Sequence, residues 1–127
     1  MSNLCVLIHG QRLISIRSVY AIVTAAQESM VRTWAYALGD NPELPLMKGT
    51  TANSVVVGPT STDAYLSMDP SLQSCIRDAY ANPQCVNKGG IASPEDVADV
   101  VGLLCSKDSR LVTGSAVSAC GGAAFIL

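Results

Sequence analysis

The chain has 127 residues, a net charge of −2 and an isoelectric point near 5.1. This length suits one domain rather than two. Its eight Lys and Arg residues form no run, whereas nucleic-acid binding requires a concentrated basic face. Hydrophobic residues make up 49% of the chain and charged residues only 14%. We therefore predict a domain that binds no nucleic acid and buries apolar surface in an oligomer or around an apolar ligand.

The apolar stretches and cysteines indicate a compartment. No apolar stretch is long enough to cross a bilayer, and residues 1–10 lack the basic leader and cleavage site of a signal peptide. The five cysteines form no CxxC pair, and a single histidine argues against zinc. We expect a cytoplasmic protein with no metal and with reduced, mostly buried cysteines. A catalytic thiol at Cys75 or Cys85 stays an alternative.

The first third of the chain predicts a hairpin and a helix. Residues 4–8 and 12–16 are short apolar runs separated by His9 and a glycine, which is a hairpin-like pattern. His9 is either a general base or a turn residue with a solvated ring. Apolar residues then recur at helical spacing over residues 19–38, and Gly39 can end that helix.

A strand and a polar cluster mark the centre of the chain. Three consecutive valines at residues 55–57 are typical of a strand buried on both faces of a parallel sheet. Gly58 and Pro59 end the strand, and small polar side chains follow at residues 60–63. Ligands of open α/β sheets bind beyond the carboxyl ends of strands, so this cluster is a candidate site. The alternative is that it only caps a following helix.

The remaining chain predicts a loop, a helix and a strand. Residues 64–91 are punctuated by prolines and glycines, which predicts a lid or binding loop with short helices. Its predicted apolar contacts are Tyr65, Leu66, Leu72, Ile76 and Tyr80. Ser93 is a helix N-cap with proline at the first helical position, and this helix ends near Ser106. Residues 111–119 predict a last strand broken at Gly114.

These segments resemble the C-terminal half of a short-chain dehydrogenase/reductase. The segment SPEDVADVVGLLCSKDSRLVTGSAVSACGG is similar to the family's P-E-D-(I/V)-A, L-x-S, (I/V)-T-G and closing G-G. TANSVVVGPTSTD resembles its N-x-(V/I)-x-P-G-x-x-x-T-D turn, and YAIVTAAQESMVRTWAYAL resembles its Y-x-x-x-K helix. The matches cover residues 11–122, and VRTWA and GPTSTD most resemble reductases of fungal small-molecule pathways. The resemblance implies an α/β, partial Rossmann-like fold: a short, mostly parallel sheet flanked by helices, without the nucleotide-binding N-terminal half.

Departures from the family pattern bear on activity. The family's glycine-rich turn, which holds the cofactor pyrophosphate, has no counterpart in this chain. The resemblance places the family's catalytic tyrosine at Tyr20 but puts Thr24 where the family has a lysine. In the family that lysine lowers the pKa of the tyrosine and holds the nicotinamide ribose, and threonine supplies no charge. Ser15, which could match the family's serine, lies unusually close to Tyr20, whereas Gly58 and Thr62 are kept. We therefore expect no cofactor and no hydride transfer.

These departures lead to the hypothesis of a cofactor-independent, non-redox enzyme. It would be an isomerase, cyclase or lyase that acts on an apolar biosynthetic intermediate. The candidate acid–base residues are Tyr20, Asp63, Tyr65 and His9, and the candidate substrate-binding residues are Gly58, Thr60, Thr62 and Tyr80. Packing, capping or loop anchoring is the alternative role of the tyrosines and of Asp63. The alternative function is a non-catalytic partner of a full-length relative, or an inactive reductase relic.

The resemblance also predicts an assembly. A strand at residues 11–16 would lie at an open sheet edge, covered either by residues 4–8 or by another subunit. The family commonly dimerises through the helix that matches residues 19–38. Ala21, Ala25 and Ser29 give this helix a stripe of small residues that suits close approach. We predict a homodimer or a higher homo-oligomer.

Overall fold

The computed structural model describes residues 3–9, 18–80, 86 and 91–122, and the side chains of these from residue 22 onward. The elements in chain order are β1 (Asn3–His9), α1 (Ser18–Leu38), β2 (Thr51–Val57), α2 (Asp63–Leu66), α3 (Pro70–Tyr80), α4 (Pro94–Cys105) and β3 (Ala116–Ala119). Short 3-10 turns at Pro45–Met47 and Lys107–Ser109 precede β2 and β3.

The three strands form one parallel sheet in the order β1-β2-β3. Val57, the last residue of β2, pairs with His9 on one side and with Ala119 on the other. The carboxyl ends of all three strands therefore meet at one edge of the sheet. This arrangement confirms the predicted partial α/β fold with a short parallel sheet and flanking helices.

Strand β2 is buried along its whole length. Val55 and Val57 pack against Leu104 of α4, together with partly buried Val97, Val100, Val101, Val112, Val117 and Ala119. Helix α1 lies against β1 and β2, and its Val31 is only 1% exposed. Because alternate residues of a strand point to opposite faces, α4 covers one face of β2 and the other face is left to α1. The run of valines correctly predicted a strand enclosed on both faces.

The first half of β2 uses polar side chains to join residues 112–115. The Asn53 side-chain amide donates to the Val112 carbonyl at 2.8 Å, and Asn53 Oδ1 accepts from the Ser115 backbone N–H at 3.2 Å. The Ala52 N–H donates to the Thr113 hydroxyl at 3.2 Å. Asn53 is 1% exposed, so these bonds satisfy polar groups that water cannot reach.

The first run of the predicted hairpin, residues 4–8, belongs to β1, which pairs in parallel with β2. The second run, residues 12–16, lies outside the described residues, so the hairpin stays a prediction. The run LCVLI is continuous and apolar, which is typical of a parallel strand.

The predictions for the C-terminal third are partly confirmed. Ser93 and Asp96 form a complete capping box at the start of α4, which ends one residue before Ser106. The last strand is shorter than predicted, because Gly114 has a φ of 68° and residues 112–115 meet β2 through the Asn53 side chain as well as through backbone hydrogen bonds. Of the three cysteines whose side chains are described, Cys75 and Cys105 are exposed and only Cys120 is buried. The expectation of mostly buried cysteines is wrong for this pair, because each lies on an outward face of its helix.

Helix α1, with 21 residues, is the longest in the described part of the chain. It is not apolar enough to cross a membrane, and no other described helix is both long and apolar enough.

Candidate functional site

A cavity of about 140 Å³ lies at the carboxyl end of β2. The strand end and the turn after it form one side of this cavity, and α2 and α3 form the other. Its lining residues are Val57, Gly58, Pro59, Thr60, Thr62, Ala64, Tyr65, Met68, Ile76 and Tyr80. The structure therefore brings together five of the residues predicted from the sequence: Gly58, Thr60, Thr62, Tyr65 and Tyr80.

The floor of this cavity depends on a close backbone approach at Gly58. A Cβ atom at this position would lie 2.9 Å from Cys120 Cβ and 3.2 Å from Cys120 Cα. Contacts this short are closer than carbon atoms tolerate, and the neighbour is partly backbone. Glycine at position 58 therefore lets the turn after β2 pack against the end of β3.

The wall opposite the strand is an apolar cluster. Tyr65, Ile76 and Tyr80 are each at most 8% exposed and pack with Cys120. The Tyr65 hydroxyl donates to the Gln73 carbonyl at 3.4 Å. The prediction of apolar contacts is confirmed for these three residues, whereas Leu66 and Leu72 are 61% and 47% exposed.

The side chain of Gln73 ties α2 to α3. Its amide nitrogen donates to the carbonyls of Leu66 and Met68, at 3.2 and 2.9 Å. These carbonyls lie at the end of the short helix α2, where the helix itself provides no partner. Gln73 thereby fixes the end of α2 against α3. Tyr65 and Met68, on either side of that helix end, are held in the cavity wall.

Backbone hydrogen bonds join the two ends of the segment that contains α2 and α3. We call this junction, between residues 59–61 and Ala92, the neck. The Ala92 N–H donates to the Pro59 carbonyl at 2.9 Å, and the Ser61 N–H donates to the Ala92 carbonyl at 2.9 Å. Thr60 and Ala92 form a parallel bridge between these bonds. The two ends of the predicted lid are therefore fixed to each other beside the strand end.

The candidate acid–base residues are distributed differently. Asp63 is exposed, is the first residue of α2 and does not line the cavity. Its neighbour Thr62 is the N-cap and accepts from the Tyr65 N–H at 3.4 Å. His9 ends β1 beside Val57, and Tyr20 lies in the first turn of α1. The side chains of His9 and Tyr20 lie outside the described part of the chain.

Thr24, which the resemblance places at the position of the family's lysine, belongs to α1 and is buried. Its residue surface is 3% exposed. A hydroxyl in this place is uncharged at every pH relevant to a protein, and it cannot hold an anion or stabilise a tyrosinate by charge. This position therefore differs from the family pattern in its electrostatics as well as in its residue type.

Sequence reasoning missed half of the cavity lining. Val57, Pro59, Ala64, Met68 and Ile76 line it but were not among the predicted site residues. Ile76 and Met68 face the cavity because α3 folds back over the strand end. A helical pattern in residues 70–80, which have apolar positions at 72, 76 and 80, was the available signal for that helix.

Charge contributes little to this cavity. Within the described lining, Tyr65 and Tyr80 are the only ionisable residues. Nearby, the backbone N–H of Ser71, together with its side chain, lowers the pKa of the exposed Asp69 from its ordinary value of 3.8. Within the described residues, no group of three His, Cys, Asp or Glu side chains could hold a metal ion. The lining is thus apolar with a few hydroxyls.

Comparisons of the sequence and the fold with known proteins agree with this architecture. A family profile described as enoyl-(acyl carrier protein) reductase matches residues 4–124. The chain belongs to the short-chain dehydrogenase/reductase family. It is 35% identical over 104 residues to dehydrogenase OXI1 of Cochliobolus heterostrophus, covering 82% of this chain and 42% of that protein. It is 36% identical over 108 residues to the short-chain dehydrogenase/reductase FrzI of a Cladobotryum species, covering 83% and 39%.

A solved structure extends the comparison. The angucycline C-6 ketoreductase LanV, determined with bound NADP, superposes with a TM-score of 0.75 at 27% identity. The match covers 95% of this chain and 43% of that one. The chain therefore spans about two fifths of the length of the short-chain dehydrogenases and reductases that it matches.

The hypothesis of a cofactor-independent isomerase, cyclase or lyase is wrong. The relatives named above are dehydrogenases and reductases, and one of them binds NADP. The hypothesis inferred a new reaction from departures from the family pattern. A departure of this kind weakens one reaction but does not by itself supply the groups for another. The alternative, a reductase relic without activity, agrees better with these relationships.

Proposed function

We propose that this chain is a substrate-side portion of a short-chain reductase that binds an apolar small molecule but does not itself transfer hydride. Thr24 carries this proposal. In the family the residue at this position is a cation, which stabilises the tyrosinate and the nicotinamide ribose. A buried threonine leaves the tyrosinate and the ribose without that charge. The cavity at the strand end, in contrast, has a lining suited to an apolar ligand.

The cavity volume matches a ligand of one ring. An engineered apolar cavity of about 150 Å³ accommodates benzene. The strand-end cavity, at about 140 Å³, has the same capacity. Tyr65, Met68, Ile76 and Tyr80 supply aromatic and flexible apolar surface of the kind that packs on a ring. A polycyclic ligand would have to extend into solvent or displace α3.

One hydroxyl at the cavity can orient the ligand. The Thr60 hydroxyl donates to the Gly58 carbonyl at 3.0 Å, so its proton is not available to a ligand. The Thr62 oxygen accepts from the Tyr65 N–H, which leaves its own proton available to a ligand carbonyl or hydroxyl. We therefore expect preference for a phenol or a cyclic ketone over a plain hydrocarbon.

Two measurements on the 127-residue chain test this function. The first is ligand binding, followed through the NMR signals of the Met68 and Ile76 methyl groups as phenol, cyclohexanone or a hydroxylated anthraquinone is added. We expect the single-ring compounds to shift these signals and the three-ring compound to leave them unchanged. The second is NADPH oxidation with the same ketones, for which we expect no rate above buffer.

A pair of matched variants assigns the binding to the cavity. Ala64 lines the cavity and is exposed, so Ala64→Leu fills the mouth without entering the core. Ala98 is an exposed position of α4 outside the cavity, and Ala98→Leu makes the same chemical change there. We expect Ala64→Leu to weaken single-ring binding about tenfold or more, a loss of about 1.4 kcal/mol, and Ala98→Leu to leave it unchanged.

Two outcomes would overturn the proposal. Ketone-dependent NADPH oxidation by the purified chain would mean that hydride transfer survives without the lysine. Equal binding by the two leucine variants would mean that the ligand sits elsewhere on the protein.

We also propose that the protein is a cytoplasmic homo-oligomer. The exposed face of α1 supports this, because Ile22 and Tyr36 are 68% and 93% exposed and Ala25 and Ser29 lie on its surface. An apolar exposed helix face is a common site of self-association. Light scattering during gel filtration tests the assembly, and a monomer at micromolar concentration would contradict it.

A further inference from the structure

A second cavity, of about 530 Å³, lies at the opposite end of β2. It is formed by the turn before β2 and by the segment that leaves α4. Its lining residues are Gly49, Thr51, Cys105, Ser106, Lys107, Asp108 and Arg110. Strand β2 has seven residues, each advancing about 3.3 Å, so the two cavities are about 20 Å apart. Whatever binds here is separate from the ligand of the strand-end cavity.

Ser106 provides an unused hydrogen-bonding group in this cavity. Its hydroxyl oxygen is buried and has no hydrogen-bond partner among the described residues. The surrounding backbone is satisfied: the Ser106 N–H donates to Leu103, and the Ser109 hydroxyl lies 2.7 Å from the Leu104 carbonyl oxygen. A buried hydroxyl without a partner costs free energy, so a bound ligand or water that reaches Ser106 gains more than at an exposed serine.

Two cations beside this hydroxyl are also unpaired. Lys107 and Arg110 are exposed, and within the described part of the chain no carboxylate lies within ion-pair distance of either. The neighbouring Lys48, in contrast, is 3.4 Å from Asp40. Asp108 is the single acidic residue of the lining, so the charged groups of this cavity sum to one positive charge.

We propose that this cavity binds a small hydroxylated organic phosphate, such as a sugar phosphate. Lys107 and Arg110 hold the phosphate, because a guanidinium and an ammonium both favour its oxygens. The Asp108 carboxylate and the Ser106 hydroxyl take hydroxyl groups of the organic part. At about 530 Å³, the cavity has room for an organic group beside the phosphate.

Cys105 offers a direct readout, because it is exposed and lines this cavity. Cys75 is exposed on α3, outside the lining, and serves as an internal control. The full chain is labelled with a thiol reagent, and the labelled peptides are quantified separately by mass spectrometry. Ribose 5-phosphate, ribose and inorganic phosphate are compared at one ionic strength, set with sodium chloride, so that screening does not differ.

We expect ribose 5-phosphate to slow labelling of Cys105 about fivefold or more at saturation and to leave Cys75 unchanged. The basis is that bound ligand covers the thiol for most of the time. Ribose and inorganic phosphate should protect Cys105 much less. In the double variant Lys107→Gln with Arg110→Gln the protection should disappear, and both positions are exposed, so the fold should be retained.

Ser106→Ala separates a ligand-binding hydroxyl from a structural one. We expect this variant to be at least as stable as the parent chain but to require more ribose 5-phosphate for half-protection. Three results would overturn the proposal: no protection of Cys105, equal protection by inorganic phosphate, or protection that persists in the double glutamine variant.

Discussion

The two halves of β2 are equally buried but are stabilised by opposite means. The second half, residues 55–57, is all valine, and its Val55 and Val57 pack through apolar surface on α4 and β3. The first half contains Thr51, Asn53 and Ser54, which are each at most 6% exposed, and Asn53 joins the sheet to residues 112–115 by hydrogen bonds. Apolar packing tolerates many side chains of similar volume, whereas a buried amide tolerates very few. The polar half therefore fixes where residues 112–115 meet β2, and the apolar half contributes to the core.

The largest effect should come from the polar half, at Asn53. Asn53→Leu keeps the approximate size of the side chain but leaves the Val112 carbonyl and the Ser115 N–H without partners. Each buried unpaired group costs about 1–3 kcal/mol, so we expect about 3 kcal/mol of lost unfolding free energy. Urea denaturation measures it. Asn41→Leu, at a side chain that only caps the exposed Glu43 N–H, is the control and should cost much less.

A somewhat smaller effect should come from the apolar half. Val55→Ala removes two methyl groups from a side chain that is fully buried between β2 and α4. We expect a loss of about 2 kcal/mol in the same denaturation experiment, from lost transfer free energy and the residual cavity. If Val55→Ala proved more costly than Asn53→Leu, the contrast between the halves would be reversed.

Gly58, directly after the apolar half, should show a steric effect on stability that is comparable to that of Val55→Ala. The added methyl group of Gly58→Ala meets Cys120 at 2.9 Å, and we expect a cost of about 1–3 kcal/mol together with weaker ligand binding in the strand-end cavity. Gly102→Ala is the matched control. It lies in α4 with no heavy atom within 4 Å of the new carbon, so it should stabilise the helix by about 0.5–1 kcal/mol. The same sign for both variants would contradict this account.

The smallest effect should come from Asp69, which lies outside both halves. Its carboxylate accepts from the Ser71 N–H at 2.8 Å at the start of α3, which lowers its pKa below 3.8. Because the folded-state pKa is depressed, the stabilisation is present above 3.8 and is lost as the pH falls through the folded value. An NMR titration should give a carboxyl midpoint below 3.8. A midpoint at or above this value would mean that the cap does not form.

Local signals in the sequence predicted the elements that need few distant contacts. The helix over residues 19–38 and the cap at Ser93 follow from periodicity and from side chains within one turn. The buried strand at residues 55–57 was equally recognisable from its composition. The parallel pairing of β1 with β2 was not, because it depends on contacts between residues that are more than 40 positions apart in the chain.

The candidate site was predicted only in part for a similar reason. Gly58, Thr60 and Thr62 follow the strand directly, so the sequence indicated them. Met68 and Ile76 reach the same cavity only because α3 folds back onto Cys120, which is more than 40 residues further along the chain. No local pattern encodes that contact.

The neck between Pro59 and Ala92 makes the segment between them a replaceable insert. Because Ser61 and Ala92 are already joined by a backbone hydrogen bond, the ends of the insert meet regardless of what lies between them. The entropy of closing such a loop grows only with the logarithm of its length, by about 0.6 kcal/mol for each doubling. A segment of different length can therefore be accommodated at this point without disturbing the register of the sheet, provided that it supplies apolar side chains to cover Cys120. In this architecture ligand preference can change by exchange of one insert while the core sequence stays constant.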